Sequence, residues 1–271
     1  MFARVRPDTP TTLVQREGLN VTKDFEGLVA VVTGGASGIG AAIATRLRTG
    51  GARIAVFDVQ PRGTNTHDLV ISVNIADDDS VRAGIDRVAA EFGGIDIVVN
   101  NAGIGAIGTV ETNSDDEWHR ILDVNVIGTA RVSRAALPHL RRSPVAAIVN
   151  VSSVAATAGI TDRALYSASK GAISALTRAM AADHLHEGVR VNAVTPGTAD
   201  TPWVQRLLSV ASNPTSERSA LEARQPHGRL VDPQEIADAV AYLASPASRS
   251  TTGVSLAIDG GMQELRVRPR G

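Results

Sequence analysis

The chain has 271 residues, 20% of them charged, and a net charge of −1, which fits one large α/β domain and argues against a strongly basic nucleic-acid-binding surface. It has no cysteine, so disulfide scaffolds, thiol nucleophiles and cysteine-based zinc or iron–sulfur sites are excluded, and a reducing cytoplasm is the expected location. Its six histidines show no metal-ligand spacing, and no stretch is apolar enough to span a membrane, so we expect no metal and no membrane or nucleic-acid partner.

Composition divides the chain into three parts. Residues 1–26 are rich in threonine, proline and charge, which predicts an N-terminal extension, either flexible or at a subunit contact. Residues 27–261 contain no linker or repeat and are predicted to form a single domain. Residues 262–271 form a C-terminal tail that carries Arg266, Arg268 and Arg270.

Within the domain, apolar runs rich in β-branched residues alternate with stretches of helical period. The predicted strands are 29–32, 54–57, 69–73, 95–99, 147–151, 189–194 and 254–258. The predicted helices between them are 39–48, 80–92, 115–137, 163–186 and 233–244. Because the runs are nearly continuous in apolar residues, they indicate strands covered on both faces. The pattern predicts a doubly wound, seven-stranded parallel sheet with helices on both faces, the Rossmann arrangement.

A glycine-rich turn follows the first predicted strand and leads directly into a helix. The segment includes Gly34, Ser37, Gly38, Ile39 and Gly40. Glycines let the backbone turn tightly and approach a pyrophosphate, whose charge the helix N-terminus favours. A tight strand-to-helix turn without a ligand remains the alternative at this point.

An acidic residue, Asp58, follows the second predicted strand. A carboxylate at this place accepts hydrogen bonds from the adenosine ribose and repels a 2′-phosphate, which favours NAD over NADP. Arg62 lies close enough in the sequence to weaken that preference.

Polar residues also follow the later strands, where ligands bind in open α/β sheets. The fourth strand is followed by Asn101 to Gly103, the fifth by Ser152 and Ser153, and the sixth by Pro196 and Gly197. Tyr166 and Lys170 are four residues apart in a predicted helix. They therefore share a helix face and can act on one substrate.

In order and spacing, these residues resemble the short-chain dehydrogenase/reductase family in its small single-domain branch, over residues 27–261. The resemblance rests on six further motifs besides the glycine turn: Asn100-Asn101-Ala102-Gly103, Asp123-Val124-Asn125, Ser153, Tyr166-x-x-x-Lys170, Pro196-Gly197 and Asp259-Gly260-Gly261.

The resemblance implies a catalytic tetrad of Asn125, Ser153, Tyr166 and Lys170. Tyr166 would exchange a proton with the substrate oxygen, with its pKa lowered by Lys170 and by the positive nicotinamide ring. Ser153 would donate a hydrogen bond to the same oxygen, and it is preferred to Ser152 by its spacing from Tyr166. Lys170 would also bind the nicotinamide ribose, and Asn125 would help order a water-linked proton path.

The same resemblance implies the remaining cofactor contacts. Asn74 and Ile75 would meet the adenine, although the family more often has an acidic residue at position 74, and Thr201 would hold the carboxamide. The full set expected to bind the cofactor is Gly34, Ser37, Gly38, Ile39, Gly40, Asp58, Asn74, Ile75, Asn101, Ala102, Gly103, Tyr166, Lys170, Pro196, Gly197 and Thr201.

The long segment 198–229 is expected to cover the active site. It carries Trp203, Arg206, Leu207, Leu208, Arg218 and Arg224. Its arginines could bind a carboxylate, which favours a small hydroxy acid or sugar acid, or they could be a solvated helical face. By resemblance, a homotetramer is expected through helices 115–137 and 163–186 and the last strand.

The sequence therefore predicts an NAD-dependent oxidoreductase that transfers a hydride between a secondary alcohol and the nicotinamide. Two alternatives stay open. One is an NADPH-dependent 3-oxoacyl thioester reductase, and the other is a catalytically silent nucleotide-binding module.

Overall fold

The computed structural model describes residues 23–61 and 69–268. Most of the predicted extension, Arg62 and Arg270 lie outside these residues. The strands are β1 (Val29–Thr33), β2 (Arg53–Asp58), β3 (Leu69–Ser72), β4 (Ile97–Asn100), β5 (Ala147–Val151), β6 (Arg190–Pro196) and β7 (Ser255–Ile258). Within the described ranges they form one parallel sheet in the order β3-β2-β1-β4-β5-β6-β7. The predicted doubly wound, seven-stranded sheet is confirmed.

Helices cover both faces of this sheet. They are α1 (Gly38–Thr49), α2 (Asp78–Phe92), α3 (Asp115–Leu122), α4 (Gly128–Leu140), α5 (Ala164–Asp183), α6 (Pro202–Ser209), α7 (Pro214–Ala223) and α8 (Pro233–Ala244). Residues of α1 and α8 pack in one apolar cluster, whereas residues of α2, α4 and α5 pack in another. Alternate residues of β1 enter the two clusters, Ala30 and Val32 the first and Val29 and Val31 the second. This alternation explains why the strand is apolar throughout.

Phe25 corrects the predicted start of the domain. The sequence analysis placed it in the extension, yet its side chain is 1% exposed and joins the cluster under α1 and α8. Its backbone N–H donates to Gly50 O at 2.9 Å. Burying a phenylalanine side chain contributes about 2 kcal/mol to stability, so the core extends at least to this residue.

Two segments differ from the helices that the sequence predicted. The helix expected over 115–137 is interrupted by a π-helical turn, Asp123–Ile127, between α3 and α4. Such turns insert one residue into an α-helix and are frequent at functional sites. The segment 198–229, predicted without secondary structure, contains α6 and α7. No helix in the described residues is long and apolar enough to cross a membrane.

Candidate active site

The chain reverses its winding direction between β1 and β4, which are neighbours in the sheet. In doubly wound sheets ligands bind beyond the strand ends at this point. The glycine-rich turn between β1 and α1 lies there. A Cβ atom on Gly40 would overlap the Gly34 carbonyl oxygen, and one on Gly34 would lie 2.9 Å from Asn101 Nδ2. The turn is therefore packed so closely against its surroundings that side chains are excluded.

The N-terminus of α1 is left without a side-chain cap. Ser37 is the N-cap residue, but its hydroxyl accepts no hydrogen bond from the first turn. The N-cap side chains of α2, α3, α6, α7 and α8 all accept such bonds. The first amide groups of α1 thus remain free to bind an anion. Gly38 and Ile39 begin the helix, and the bare backbone at Gly38, with a φ of 54°, fits a dinucleotide pyrophosphate.

Asp58 lies at the end of β2, beside the glycine turn. Its Oδ2 accepts a hydrogen bond from Ala36 N at 3.2 Å, and its Oδ1 accepts one from Gln60 N at 3.0 Å. These two bonds fix the plane of a carboxylate that remains partly exposed.

The residues expected to contact the adenine lie at the end of β3. Asn74 is exposed, and its Oδ1 accepts a hydrogen bond from Ala76 N at 3.1 Å. Ile75 is buried, and a Cβ atom on Gly128 would lie 2.9 Å from its side chain. The side chain of Ile75 therefore packs against α4, which leaves its backbone as the part able to face the adenine.

The residues after β4 mainly support the glycine turn. Asn101 donates from Nδ2 to Thr33 O at 2.9 Å and to Gly34 O at 3.2 Å. Thr33 Oγ1 in turn accepts from the backbone N–H groups of Asn101 and Ala102, each at 3.0 Å. The side chain of Asn101 thus holds β1 and β4 together. Gly103 leaves space beside the tetrad, since a Cβ atom there would lie 3.5 Å from Lys170 Nζ.

The two serines after β5 differ in direction. Ser152 is buried, donates to Lys170 O at 2.8 Å and is 2.9 Å from Ser174 Oγ. Ser153 is partly exposed, its Oγ accepts from Ala155 N at 3.1 Å, and it lies close enough to the phenol of Tyr166 to lower its pKa. Burial raises the pKa of Tyr166, while Ser153 and the positive charge of Arg163 lower it by less. The protein's own groups therefore raise this pKa, so the lowering expected from the sequence would need the charge of the bound nicotinamide.

Lys170 lies one helical turn beyond Tyr166 on α5. Its ammonium is buried, donates to Val151 O at 2.9 Å and lies 5.8 Å from the centre of the Tyr166 ring. Burial lowers the pKa of Lys170 to about 8. At neutral pH the side chain thus carries a positive charge that is only weakly hydrated.

Asn125 lies in the π-helical turn, where its side chain points into the protein. Its Oδ1 accepts from Ile104 N at 2.8 Å, and its Nδ2 donates to Ile104 O and to Ser169 Oγ, each at 3.0 Å. Asn125 O accepts from Thr129 Oγ1 at 2.8 Å. The structure brings Asn125, Ser153, Tyr166 and Lys170 into one cluster, but the amide of Asn125 is fully occupied by the protein itself.

The end of β6 leads into the segment above the site. Thr201 caps α6 and faces the glycine turn, because a Cβ atom on Gly38 would be 3.7 Å from its side chain. Gly197 packs against Gln225 and against Asp259, whose Cα would be 3.0 Å from an added Cβ. Pro196, Gly197 and Thr201 therefore form one wall of the crevice, opposite the N-terminus of α1.

Comparison with known proteins agrees with this geometry. The family model described as enoyl-(acyl carrier protein) reductase matches residues 34–263. A cis-4-hydroxycyclohexanecarboxylate dehydrogenase of Sinomonas cyclohexanicum is 41% identical over 88% of this chain and 97% of its own length. The chain belongs to the short-chain dehydrogenase/reductase family.

Two solved structures of short-chain dehydrogenases/reductases share the fold. The ligand-free aldohexose dehydrogenase of Thermoplasma acidophilum has a TM-score of 0.87 at 36% identity, covering 92% of this chain and 99% of that one. The 3-ketoacyl-(acyl-carrier-protein) reductase of Brucella melitensis, complexed with NADH, has a TM-score of 0.81 at 33% identity, covering 88% and 99%. As a member of this family, the chain is an NAD(P)-dependent oxidoreductase acting on alcohols or carbonyls.

Three residues of this short-chain dehydrogenase/reductase site were missed by the sequence analysis. Arg163, one turn before Tyr166, donates to Ala106 O at 2.9 Å and is half-buried. Gln225 is buried and donates to Thr198 O at 3.2 Å and to Arg229 O at 2.7 Å, which ties the two ends of the 198–229 segment together. Ser169 supports Asn125. Arg163 alone carried a readable signal, a cation spaced to share the face of Tyr166.

Proposed function

We propose that this short-chain dehydrogenase/reductase oxidises a secondary alcohol with NAD, using Tyr166 as the general base. The observation that carries the proposal is the phenol of Tyr166, which lies beside Ser153 and one turn from a buried ammonium, Lys170. Lys170 approaches Gly103 in the loop after β4, and Asn101 of the same loop bonds the glycine turn. A catalytically silent nucleotide-binding module would have no use for this arrangement.

The chain's own residues would perform the proton transfer. Ser153 would donate a hydrogen bond to the substrate oxygen and hold it against the phenol. Tyr166, as phenolate, would take the hydroxyl proton while the C–H bond breaks and its electron pair leaves with the hydrogen. The bound nicotinamide supplies the hydride acceptor, and a ketone is the product. Positioned proton transfer of this kind contributes about 10²- to 10⁴-fold to the rate.

Lys170 would be one of two positive charges that favour the phenolate of Tyr166. Burial raises the pKa of Tyr166, so the anion needs nearby positive charge to form near neutral pH. The Lys170 ammonium, 5.8 Å from the ring centre, is such a charge, and an oxidised nicotinamide would be a second. The arrangement therefore favours the base when oxidised cofactor is bound.

Asp58 supports NAD as the cofactor. Its carboxylate is fixed by Ala36 N and Gln60 N next to the place for the adenosine ribose. A 2′-phosphate there would meet a negative charge, whereas a 2′-hydroxyl could donate to it. Measured dissociation constants should therefore be lower for NADH than for NADPH, and tighter NADPH would contradict this role.

The substrate is proposed to be a small hydroxy acid, sugar acid or related alcohol. The first compound to test is 4-hydroxycyclohexanecarboxylate, because the 41% identical relative is named for it. Threitol and aldohexoses follow, since a 37% identical relative of Mycolicibacterium smegmatis is a D-threitol dehydrogenase and the Thermoplasma neighbour is an aldohexose dehydrogenase.

The experiment measures NADH formation across these alcohols for the wild type and for Tyr166→Phe. We expect at least a 10²-fold loss of kcat in the variant at unchanged NADH affinity. Tyr242→Phe is the matched control, because Tyr242 lies on the exposed face of α8. Equal turnover by wild type and Tyr166→Phe would exclude Tyr166 as the base, and no turnover of any alcohol would contradict the proposed function.

The second candidate function is reduction of a 3-oxoacyl thioester with NADPH. The similarity to the Brucella reductase favours it, although that enzyme is complexed with NADH. A higher kcat/KM for acetoacetyl thioesters with NADPH than for any alcohol with NAD would support this candidate.

A homotetramer remains part of the proposal. β7 ends the sheet, and its residues Ser255, Leu256 and Ala257 are exposed. Exposed apolar side chains on an edge strand favour a subunit contact. Light scattering should give four times the chain mass, and Leu256→Glu should lower it.

A further inference from the structure

Three residues of α5 face the site in a fixed order. Arg163, Tyr166 and Lys170 are spaced by three and four residues, so they lie along one face of the helix. Lys170 lies toward Gly103 at the cofactor end. Arg163, the N-cap residue of α5, lies one turn before Tyr166, on the side away from Lys170. A group on the substrate that extends away from the cofactor would meet Arg163.

The guanidinium of Arg163 is held in place but has no acidic partner. Its Nη1 donates to Ala106 O at 2.9 Å, which fixes it against the loop that follows β4. Among the described residues no carboxylate lies within ion-pair distance of it, and the side chain is about half-buried. Its remaining N–H groups can form a bidentate pair with an anion.

The charge of a second arginine acts on the first. Arg224, which ends α7, is exposed, and in the part of the chain described it has no ion pair or side-chain hydrogen bond, whereas Arg163 has its bond to Ala106 O. Burial lowers the pKa of Arg163, and the charge of Arg224 lowers it further, while Tyr166 and Asp162 act in the opposite direction. Arg224 is exposed to solvent, and an anion that pairs with Arg163 would be attracted by both positive charges.

The other arginines of the 198–229 segment are less suitable. Arg218 is already bonded to Asp200 Oδ2 at 3.2 Å and to Glu222 Oε1 at 2.9 Å. Arg206 is exposed on α6. The cleft between the segment and the β4 loop is closed by Trp203, whose ring would be 3.2 Å from a Cβ atom on Gly105. This wall shields one side of the space in front of Arg163.

We infer that Arg163 and Arg224 form a carboxylate subsite that selects acidic alcohols as substrates. The inference rests on the proposed function, because it assigns the far end of the molecule whose hydroxyl Tyr166 deprotonates. It also assigns different roles to two arginines of the 198–229 segment. Arg224 would bind the substrate, whereas Arg218 pairs with carboxylates of the protein itself.

The test compares two substrates that differ only in charge, 4-hydroxycyclohexanecarboxylate and its carboxamide. We expect the wild type to prefer the acid. Arg163→Gln and Arg224→Gln should each lower kcat/KM for the acid about 10- to 100-fold and change that for the amide by less than about 3-fold. Arg87→Gln, on the exposed face of α2, is the matched control and should change neither.

A loss that is equal for acid and amide in Arg163→Gln would overturn the subsite, because it would mean that the arginine only supports the Ala106 loop. A wild type without preference for the acid would overturn it as well. Arg163→Lys keeps the charge but not the fork, so it should recover part of the preference.

A binding experiment keeps the inference separate from the proposed function. Cyclohexanecarboxylate has no hydroxyl and cannot be oxidised, so calorimetric titration into the NAD-saturated enzyme reads the subsite alone. Binding that is lost in Arg163→Gln and Arg224→Gln supports the subsite even if the alcohols tested are not turned over. No binding to the wild type contradicts it, whatever the enzyme oxidises.

Discussion

The side-chain amide of Asn125 pairs with the backbone of Ile104 through two hydrogen bonds, accepting from its N–H at 2.8 Å and donating to its C=O at 3.0 Å. The second proton of the amide goes to Ser169 Oγ, whose hydroxyl donates to Tyr166 O at 2.8 Å. One side chain therefore links the π-helical turn, the loop after β4 and α5.

Replacing Asn125 by alanine should affect both stability and turnover. The change leaves the N–H and C=O of Ile104 without their partners in a partly buried place, so we expect a loss of about 1 kcal/mol in unfolding free energy. Because the loop beside Tyr166 would be released, kcat should fall more than the affinity for NADH. Denaturant unfolding and steady-state kinetics measure the two effects.

Ser169→Ala is the control for this change, since it removes one of the three bonds of the amide. Its unfolding free energy should fall by about half as much. An Asn125→Ala protein with unaltered kcat would show that the position of the loop after β4 does not depend on the hydrogen bonds of Asn125 to Ile104.

The charge of Asp58 should set cofactor choice. In Asp58→Asn the single side-chain oxygen can keep only one of the bonds from Ala36 N and Gln60 N, and the repulsion of a 2′-phosphate is gone. We expect the ratio of kcat/KM for NADP to that for NAD to rise about 10- to 100-fold. Asp183→Asn, at the exposed C-terminal end of α5, should leave the ratio unchanged.

A side chain at position 40 should disrupt the glycine turn. Alanine usually stabilises a helix relative to glycine, but a Cβ atom on Gly40 would overlap Gly34 O and come within 2.5 Å of Asn101 Nδ2. Since a backbone oxygen cannot move aside freely, Gly40→Ala should cost about 2 kcal/mol of stability and weaken NAD binding. Calorimetry measures both effects. Gly94→Ala, where an added Cβ has no neighbour within 4 Å, should be nearly neutral.

The strands and the glycine turn could be predicted because the signals are local. A strand covered on both faces is a continuous apolar run, and all seven runs became strands. The helices α6 and α7 also had local signals, an N-cap residue followed by proline in Thr201-Pro202 and Asn213-Pro214. No helix was predicted at either place.

Side-chain direction could not be predicted in the same way. Asn101 was expected along the cofactor, yet its amide bonds Thr33 O and Gly34 O. Position in the chain places a residue at the right edge of the sheet, but the backbone geometry decides which way its amide points. The approach of Arg224 to Arg163 depends on how α7 folds over the site, and no spacing in the sequence encodes it.

The buried charge of Lys170 should make stability depend on pH. Burial lowers its pKa from 10.5 to about 8, so in alkaline solution the unfolded chain holds a proton that the folded protein has released. Unfolding free energy attributable to this group therefore rises with pH between about 8 and 10.5. Below pH 8 both states are protonated, and the cost of burying the charge is constant at about 3 kcal/mol.

Lys170→Met isolates this contribution because methionine has no charge to bury. Apart from Tyr166, whose ring lies beside Lys170, the other groups titrate alike in both proteins. The difference in unfolding free energy between variant and wild type that is due to position 170 should therefore shift by about 3 kcal/mol in favour of the wild type from pH 8 to pH 10.5. The variant also loses the hydrogen bond from Lys170 to Val151 O. This loss lowers its unfolding free energy by the same amount at every pH, so it does not contribute to the change with pH. A difference independent of pH, measured by urea unfolding, would mean that the ammonium is not held at a lowered pKa. The charge available to Tyr166 would then be an ordinary, hydrated one.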